Sequence, residues 1–476
     1  MNKKSSCNLH ANYQIKRFVK FGLTLAFATL STLDAKSLEQ AIKNVDVSGF
    51  AWYRYDSGRF TDDSTYNLNG GSGDANGGGI NKSPNHWIRV ALTTKVDMGD
   101  GFRAVGTLVN NSFNYSFKAD GDDGLTKTKQ AVILREAYLQ YDNADLGVTL
   151  ALGRQNLVGI MWTNNTAAMM AKVTVHPTDG LNVLAFGIDS FMGPDDASAA
   201  SFTPYYTENG VLTSEQKQKS DALNTRLYSY NLYGAAILGD FGAVKTEFWG
   251  AAWDKTATLY AVKLDYKLDF GEGDNFKIHA NYLGNVIDGV LQSDIKNATA
   301  ATENQMANGN LAHLKFALKV SDFDANLGGI FFGKKKEFTL NTIQEPFGND
   351  RQDLYISSEI FYQKGSWAVL SKGQNTYGYF GAGYTLPADI RVGIKGVYGE
   401  TKMAGINAVQ DAKDGAGKKV EGMAEFGYKV NRNLNFLAYY SYLHTKAEKG
   451  AVNGAGELKD AKSVKNTVRV QAKYDF

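Results

Sequence analysis

The sequence predicts an all-β fold, an antiparallel transmembrane β-barrel of eighteen strands. Apolar and charged side chains alternate with period 2 along most of the chain, as in strands whose two faces meet different surroundings. Segments of about ten residues, the length that a tilted membrane strand needs, are separated alternately by tight turns and by longer polar loops. The last strand ends the chain on Phe476.

The N-terminus has the features of a secretory signal. Lys16, Arg17 and Lys20 precede an uncharged run over residues 21–33, which is too short to span a bilayer as a helix. We expect residues 1–35 to be a signal peptide removed after Ala35 and residues 36–44 to form a short periplasmic segment. Residues 45–476 then make up the barrel.

The charge balance argues against nucleic acid as a partner. The chain has 51 Lys and Arg against 49 Asp and Glu, and removal of five basic and one acidic side chain with residues 1–35 leaves 46 against 48. A net charge of −2 gives no basic surface field. The only cysteine, Cys7, lies in the predicted signal, so no disulfide is expected after cleavage.

The strand count follows from the two ends of the barrel. The first strand runs from Val45 to Tyr55, and Val47, Ala51 and Tyr53 alternate with Trp52 and Arg54. Eight tight turns carry Gly, Pro, Asn or Asp where the backbone must reverse: Asp97 to Gly101, Asp142 to Gly147, Pro177 to Gly180, Asp240 to Gly242, Asp269 to Asp274, Ser321 to Asp324, Leu386 to Asp389 and Asn431 to Asn433. With both termini on that rim, eighteen strands and nine loops follow.

The apolar face must point to lipid and the charged face to a wet channel. Val262 and Leu264 alternate with Lys263 and Asp265, and Arg or Lys facing lipid near the bilayer midplane would cost roughly 2–4 kcal/mol each. The alternative, a soluble sandwich or barrel, has the same period in the opposite sense. The phase is ambiguous over residues 132–141, where either a subunit contact or a bulge would explain the pattern.

The terminal strand must pair with the first, because a bilayer cannot accommodate a row of unpaired amides. Val468, Val470 and Tyr474 alternate there with Arg469 and Lys473.

Several long blocks resemble one known family. KSLEQAIKNVDVSGFAWYRYD at residues 36–56, LREAYLQYDNADLGVTLALGRQNLVGIMWTNN at residues 134–165 and the terminal strand are similar to the major outer membrane porin family of Campylobacter and related epsilonproteobacteria. The resemblance implies a trimeric barrel in the outer membrane with a water-filled channel, weak cation preference and a third extracellular loop folded into the lumen. It also implies contact with outer-leaflet lipopolysaccharide, recognition of Phe476 by the barrel-assembly machinery and, in some members, adhesin and surface-antigen roles.

The alternation along the strands predicts which charged side chains face the channel. We expect more than half of them only to keep the channel interior hydrated, without a specific role in permeation. They are Arg54, Arg89, Arg154, Lys263, Lys277, Lys315 and Arg391 on the basic side and Glu247, Asp265, Glu421 and Glu425 on the acidic side. This wall is mixed to mildly basic, whereas the resemblance implies cation preference. The inward loop corresponds to the uncharged segment 156–170, in which Asn164 occupies the family-like acidic position and argues against a carboxylate constriction.

Several other motifs do not indicate a catalytic or metal-binding site. The two Asp-Phe-Gly triplets at 240–242 and 269–271 are hairpin turns without a phosphate loop. Calcium at Asp120, Asp122 and Asp123 is an alternative to a plain solvated turn, which we favour. Lys277 and Lys315 beside His279 and His313 disfavour a metal site there. No histidine sits in the Ser–His arrangement that a barrel phospholipase needs, so we expect no enzyme and no cofactor.

The sequence therefore favours a general diffusion porin for ions and small hydrophilic solutes. The alternative is a channel selective for sugars or amino acids. An adhesin role of the long loops, residues 192–225 and 334–372, would add to either function.

Overall fold

The computed structural model describes residues 45–60, 85–115, 132–161, 167–192, 230–293, 306–335, 337–340, 370–402, 417–446 and 462–476. The predicted signal and periplasmic segments, Asn164 and the candidate calcium residues Asp120, Asp122 and Asp123 lie outside these ranges, as does most of both long loops.

Eighteen of the described strands form one sheet that closes on itself. They are β1 Val45–Phe60, β2 Asn85–Gly99, β3 Phe102–Tyr115, β4 Ile133–Asn143, β5 Val148–Asn156, β6 Ala167–Thr178, β7 Leu181–Met192, β8 Leu232–Phe241, β9 Val244–Trp253, β10 Ala257–Asp269, β11 Asn275–Ile287, β13 Asn310–Val320, β14 Phe323–Phe332, β17 Gln374–Leu386, β18 Ile390–Lys402, β19 Gly417–Lys429, β20 Leu434–Lys446 and β21 Lys462–Asp475. The short strands β12 Met306–Ala307, β15 Phe338–Leu340 and β16 Leu370–Lys372 form a separate three-stranded sheet.

Each barrel strand pairs antiparallel with its neighbours in the chain, and β1 pairs with β21 in a register that sets Phe50 opposite Asp475. The predicted barrel of eighteen strands, closed through its terminal strand, is confirmed. A helical turn covers residues 289–293. None of the helical residues that the structure describes belongs to a helix long and apolar enough to cross a bilayer.

The eight predicted tight turns all connect consecutive strands on one rim. Backbone reversal there uses left-handed conformations, as at Ser321 and Asp389, where φ is 53° and 57°. The opposite rim is not uniformly made of long loops as predicted, because residues 254–256 alone join β9 to β10. Asp254 and Thr256 hydrogen-bond within this turn and to flanking strands, which makes a longer connection unnecessary.

The two faces of the sheet have the predicted polarity. Large apolar side chains such as Val262, Leu264 and Phe316 are 37–42% exposed on the outside, whereas the side chain of Lys263 between them is 17% exposed on the inside. This places the apolar band against lipid and the charged groups around the bore.

A bulge explains the ambiguous phase of β4. The pairing of β3 with β4 shifts register between Thr107 and Leu108, which leaves Arg135 out of the ladder. As a result Arg135 is 3% exposed and donates to Asn156, while Glu136 accepts from Thr107. Of the two explanations that the sequence leaves open, the structure shows the bulge. The bulge keeps both Arg135 and Glu136 off the lipid-facing side of β4.

Candidate functional site

The inner wall of the barrel is the candidate site, and most of the nominated charges lie on it. The strand register places Arg54, Arg89, Glu247, Lys263, Asp265, Lys277, Lys315, Arg391, Glu421 and Glu425 on the inner face. Asn164 lies outside the described residues.

Arg154 lies on the outer face, so its predicted channel position is wrong. It shares the parity of Leu152 and pairs with Met169, both 41% exposed on the outside, while the neighbouring Gln155 is 2% exposed on the inside. Its guanidinium Nη1 donates to the carbonyl oxygen of Leu134 at 2.6 Å. The larger apolar residues earlier in β5, Leu150 and Leu152, share the parity of Arg154, so the alternation itself indicates the outer face, and the charge of Arg154 led to the wrong assignment.

A four-residue charge network lies on β9, β10 and β11. Lys263 Nζ bridges Glu247 Oε1 at 3.1 Å and Asp265 Oδ2 at 3.0 Å, because the register sets Lys263 directly opposite Glu247. Asp265 Oδ1 also binds His279 Nδ1 at 2.8 Å. The side chains are 10–20% exposed, so the ion pairs are partly shielded from water and are stronger than surface pairs.

The connection between β5 and β6, the third on the outer rim, begins by packing against this network. The backbone N–H of Ile160 donates to Glu247 Oε2 at 3.1 Å, and the indole Nε1 of Trp249 donates to the same oxygen at 2.9 Å. Gly159, with φ 110°, lies so close to Trp249 that a Cβ would come within 2.1 Å of the ring. Leu157, Ile160 and Met161 are buried. Residues 157–161 therefore lie against the inner wall, although Ile160 and Glu247 are 87 residues apart in sequence.

A cavity of about 600 Å³ lies beside this segment. Its apolar lining includes Leu184, Phe186 and Trp249, and its polar lining includes Lys172 and Thr174 from β6. The cavity thus joins the charge network to an apolar part of the wall.

A second network lies farther around the barrel wall, on β14, β18 and β19. Arg391 Nη2 and Nε bind the two oxygens of Asp324 at 2.7 and 2.9 Å, and Nη1 binds Glu425. Lys395 Nζ binds the other oxygen of Glu425 at 2.7 Å. Gly383 leaves room for the guanidinium, since a Cβ there would lie 2.2 Å from Nη2. The bidentate geometry fixes Arg391 in one orientation.

Glu421 belongs to a buried polar cluster rather than to an exposed wall. Glu421 is 2% exposed and accepts from Ser441 Oγ at 2.5 Å, while nearby Lys419, 1% exposed, donates to Thr401 Oγ1 at 3.2 Å. Thr401 in turn binds Tyr377 at 2.6 Å. These bonds fix the wall and keep Glu421 away from permeating solutes.

Arg54 and Arg89 are also buried against the wall. The guanidinium of Arg54 stacks over Trp52 at 4.7 Å and its Nε donates to Gln471 at 3.1 Å, and Arg89 lies over Phe50 at 5.7 Å. Cation–π contacts of this kind hold a cation on an apolar surface.

The inner histidines His279 and His313 take separate partners. The register sets His279 opposite Lys315 and His313 opposite Asn281. His313 Nε2 contacts the hydroxyl of Tyr379 at 2.8 Å. Among the side chains that the structure describes, no group of three or more His, Cys, Asp and Glu is arranged to hold a metal ion.

Sequence reasoning missed Lys172, Trp249 and Asp324. A usable signal existed for Lys172, because Met170, Lys172 and Thr174 alternate with outward residues along β6. The contact of Ile160 with Glu247 left no local signal, since it joins a loop backbone to a distant strand.

The fold is similar to several solved channel structures. Acinetobacter baumannii OccAB3 has a TM-score of 0.58 at 9% identity, covering 90% of this chain and 100% of that one. Pseudomonas aeruginosa OpdK, solved with vanillate, has a TM-score of 0.57 at 11% identity, covering 91% and 99%. Pseudomonas aeruginosa OccK3 (OpdO) has a TM-score of 0.56 at 11% identity, covering 92% of this chain and 97% of that one. At these identities the likeness establishes the fold.

No curated protein matches the sequence. The family described as Campylobacter major outer membrane protein matches residues 16–476, which includes every barrel strand. The chain therefore belongs to the Campylobacter major outer membrane protein family and is a porin that crosses the outer membrane as a closed eighteen-stranded β-barrel.

Proposed function

We propose that this barrel is a general diffusion porin for ions and small hydrophilic solutes, narrowed by the connection between β5 and β6. The observation that carries the proposal is the ionised inner wall inside a closed, outwardly apolar cylinder. The contact of Ile160 with Glu247 supports an inward course for residues 157–161, the described part of this connection. We expect no catalytic activity, because solute passage needs only a hydrated path.

Purified protein in planar lipid bilayers tests this proposal. A diffusion porin gives a current that rises linearly with voltage and shows no saturable block as the concentration of a neutral sugar is raised. Saturable block by a sugar or an amino acid at millimolar concentration would favour the alternative, a substrate-selective channel. The likeness to OpdK, whose structure holds vanillate, gives this alternative some weight.

Weak cation preference is part of the proposal and is supported by the family likeness. The two ion-pair networks on the inner wall argue against a strong cation preference, because each of their carboxylates binds a basic side chain. These carboxylates are Glu247, Asp265, Asp324 and Glu425. We therefore expect a small reversal potential in a KCl gradient, with the sign that indicates faster K⁺ permeation.

We also propose that the barrel forms a homotrimer through the outer face of β5–β9. Small side chains cover much of this face, including Ala171, Gly187, Ala235 and Gly250, and they allow a second backbone to approach closely. Arg154 lies at the edge of the same face. An Arg facing lipid costs about 2–4 kcal/mol at midplane and about 0–1 kcal/mol near the interface, so a protein contact there is favoured over lipid.

Two further partners follow from the outer-membrane location. The apolar band contacts the lipid bilayer, and we propose that its outer-rim edge meets lipopolysaccharide. Phe476 is 46% exposed beside Tyr474, and the proposal that the assembly machinery reads this C-terminal aromatic is supported by its accessibility. Adhesin activity of the long loops concerns residues that lie almost wholly beyond the described ranges.

A further inference from the structure

Lys172 differs from Lys263, the other lysine that lines this cavity, which is bound to two carboxylates. Within the part of the chain that the structure describes, its ammonium makes no hydrogen bond and no ion pair within 4.0 Å, although it lines the cavity beside residues 157–161. Glu136 attracts it through space. The Glu136 carboxylate already accepts from Thr107 Oγ1 at 2.7 Å and from the Asn156 N–H at 3.1 Å. Lys172 thus has unused donors facing a cavity.

The acidic groups of the cavity are already occupied. Glu247 accepts three hydrogen bonds, from Ile160, Trp249 and Lys263. Asp265 is bound by Lys263 and by His279. A ligand entering the cavity therefore meets one available cation at Lys172, while the carboxylates repel additional negative charge.

The rest of the lining suits an apolar body. Phe186 is paired with Lys172 across β6 and β7, and its ring lies 6.1 Å from that of Trp249 at an interplanar angle of 57°. Leu184 lies beside them, and Thr174 and Asn182 supply neutral polar groups. A volume of about 600 Å³ lies within the range of roughly 300–1,000 Å³ typical of small-molecule sites, which combine apolar walls with a few placed polar groups.

We propose that this cavity binds a small apolar solute carrying a single carboxylate. The carboxylate lies on the Lys172 ammonium, and the apolar body packs on Phe186, Leu184 and Trp249. A second carboxylate on the solute would lie near Glu247 or Asp265 and would weaken binding. The inference rests on the proposed function, because the solute reaches the cavity through the channel.

Benzoate is the probe. Titration of benzoate into detergent-solubilised protein, followed by calorimetry or ligand NMR, is expected to show saturable binding in the millimolar range, with benzamide binding at least tenfold more weakly. Lys172→Gln is expected to weaken benzoate binding at least tenfold. Lys277→Gln is the matched control, because Lys277 faces the channel but does not line the cavity, and we expect a change of less than twofold.

Absence of saturable benzoate binding, or equal losses in the two variants, would overturn the proposed site. Bilayer conductance of the wild-type protein in KCl is measured alongside. Conductance without benzoate binding refutes this site and leaves the diffusion function standing. Benzoate binding without conductance supports the site and refutes the diffusion function.

Discussion

Gly49 and Phe476 exchange two backbone hydrogen bonds, which complete the ladder between the first and last strands. The Gly49 N–H donates to the Phe476 carbonyl at 2.9 Å, and the Phe476 N–H donates to the Gly49 carbonyl at 3.0 Å. A Cβ on Gly49 would lie 2.2 Å from the Ala91 carbonyl oxygen and 2.8 Å from the Phe476 ring. The pairing of β1 with β21, the seam that closes the barrel, therefore depends on the absence of a side chain at position 49.

Gly49→Val is expected to destabilise the closed barrel. Overpacking a tight site typically costs about 1–3 kcal/mol, and here the clash involves the backbone of β2. The midpoint temperature of the heat-induced mobility shift on SDS gels measures the loss. Gly422→Val is the control, because nothing lies within 4 Å of a Cβ on this outer-face glycine. Equal midpoints for the two variants would contradict the role of the seam.

Glu247→Ala is expected to release residues 157–161 from the wall. It removes the acceptor for the Ile160 N–H and the Trp249 indole and leaves Lys263 paired with Asp265 alone. Bonds to a carboxylate contribute roughly 1.5–3 kcal/mol when shielded, and less in a wet channel. Single-channel recordings should show more frequent brief current transitions.

Asp265→Asn serves as the comparison for Glu247→Ala, since Asp265 belongs to the same network and Glu247 keeps its bonds to Ile160 and Trp249. We expect its current to stay as steady as that of the wild type. If Glu247→Ala showed no more brief current transitions than the wild type, this carboxylate would not hold residues 157–161 against the wall.

Arg391→Ala is expected to shift ion preference toward cations. The change removes a positive charge and leaves Asp324 without its bidentate partner and Glu425 with Lys395 alone. A unit charge at about 4 Å in water is worth about 1 kcal/mol, so the permeability ratio should change by a few fold at most. The reversal potential in a KCl gradient measures it. Arg154→Ala removes an outer-face charge and should leave the reversal potential unchanged.

Gly250→Trp is expected to convert the proposed trimer into monomers. Gly250 is an exposed glycine of the proposed contact face, and nothing lies within 4 Å of the point that a Cβ would occupy, so the new side chain would project from the barrel without disturbing the fold. Light scattering of the detergent-extracted protein reports the mass. Gly422→Trp makes the same change on β19 and should remain trimeric. Trimers in both variants would place the contact elsewhere.

The barrel was predictable because its rules are local. Alternation, turn residues and the need to pair the terminal strand are all readable along the chain, as at Val262 and Lys263 or at Ser321. Residues whose position depends on non-local geometry were not predictable. The ambiguous phase near Arg135 marks the irregularity in β4, but the choice between a subunit contact and a bulge depends on the register with β3. Arg154 shares the parity of Leu152, and its charge favoured the wrong face.

The candidate site was predictable only as a list of inward charges. Parity correctly places Lys263, Asp265 and Arg391 on the inner face. It does not reveal that Glu421 is buried among hydroxyl groups or that Glu247 binds a loop backbone, because these contacts join segments that are distant in sequence.

The polarity of the barrel, with ionised side chains around a hydrated bore and apolar side chains against lipid, can be tested at two adjacent residues. Lys315 and Phe316 follow one another on β13 and lie on opposite faces. Each is replaced by cysteine in a Cys7→Ser background, and a membrane-impermeant cationic thiol reagent is added during current recording. We expect a stepwise fall in conductance for Lys315→Cys and no change for Phe316→Cys; the reverse result would contradict this polarity.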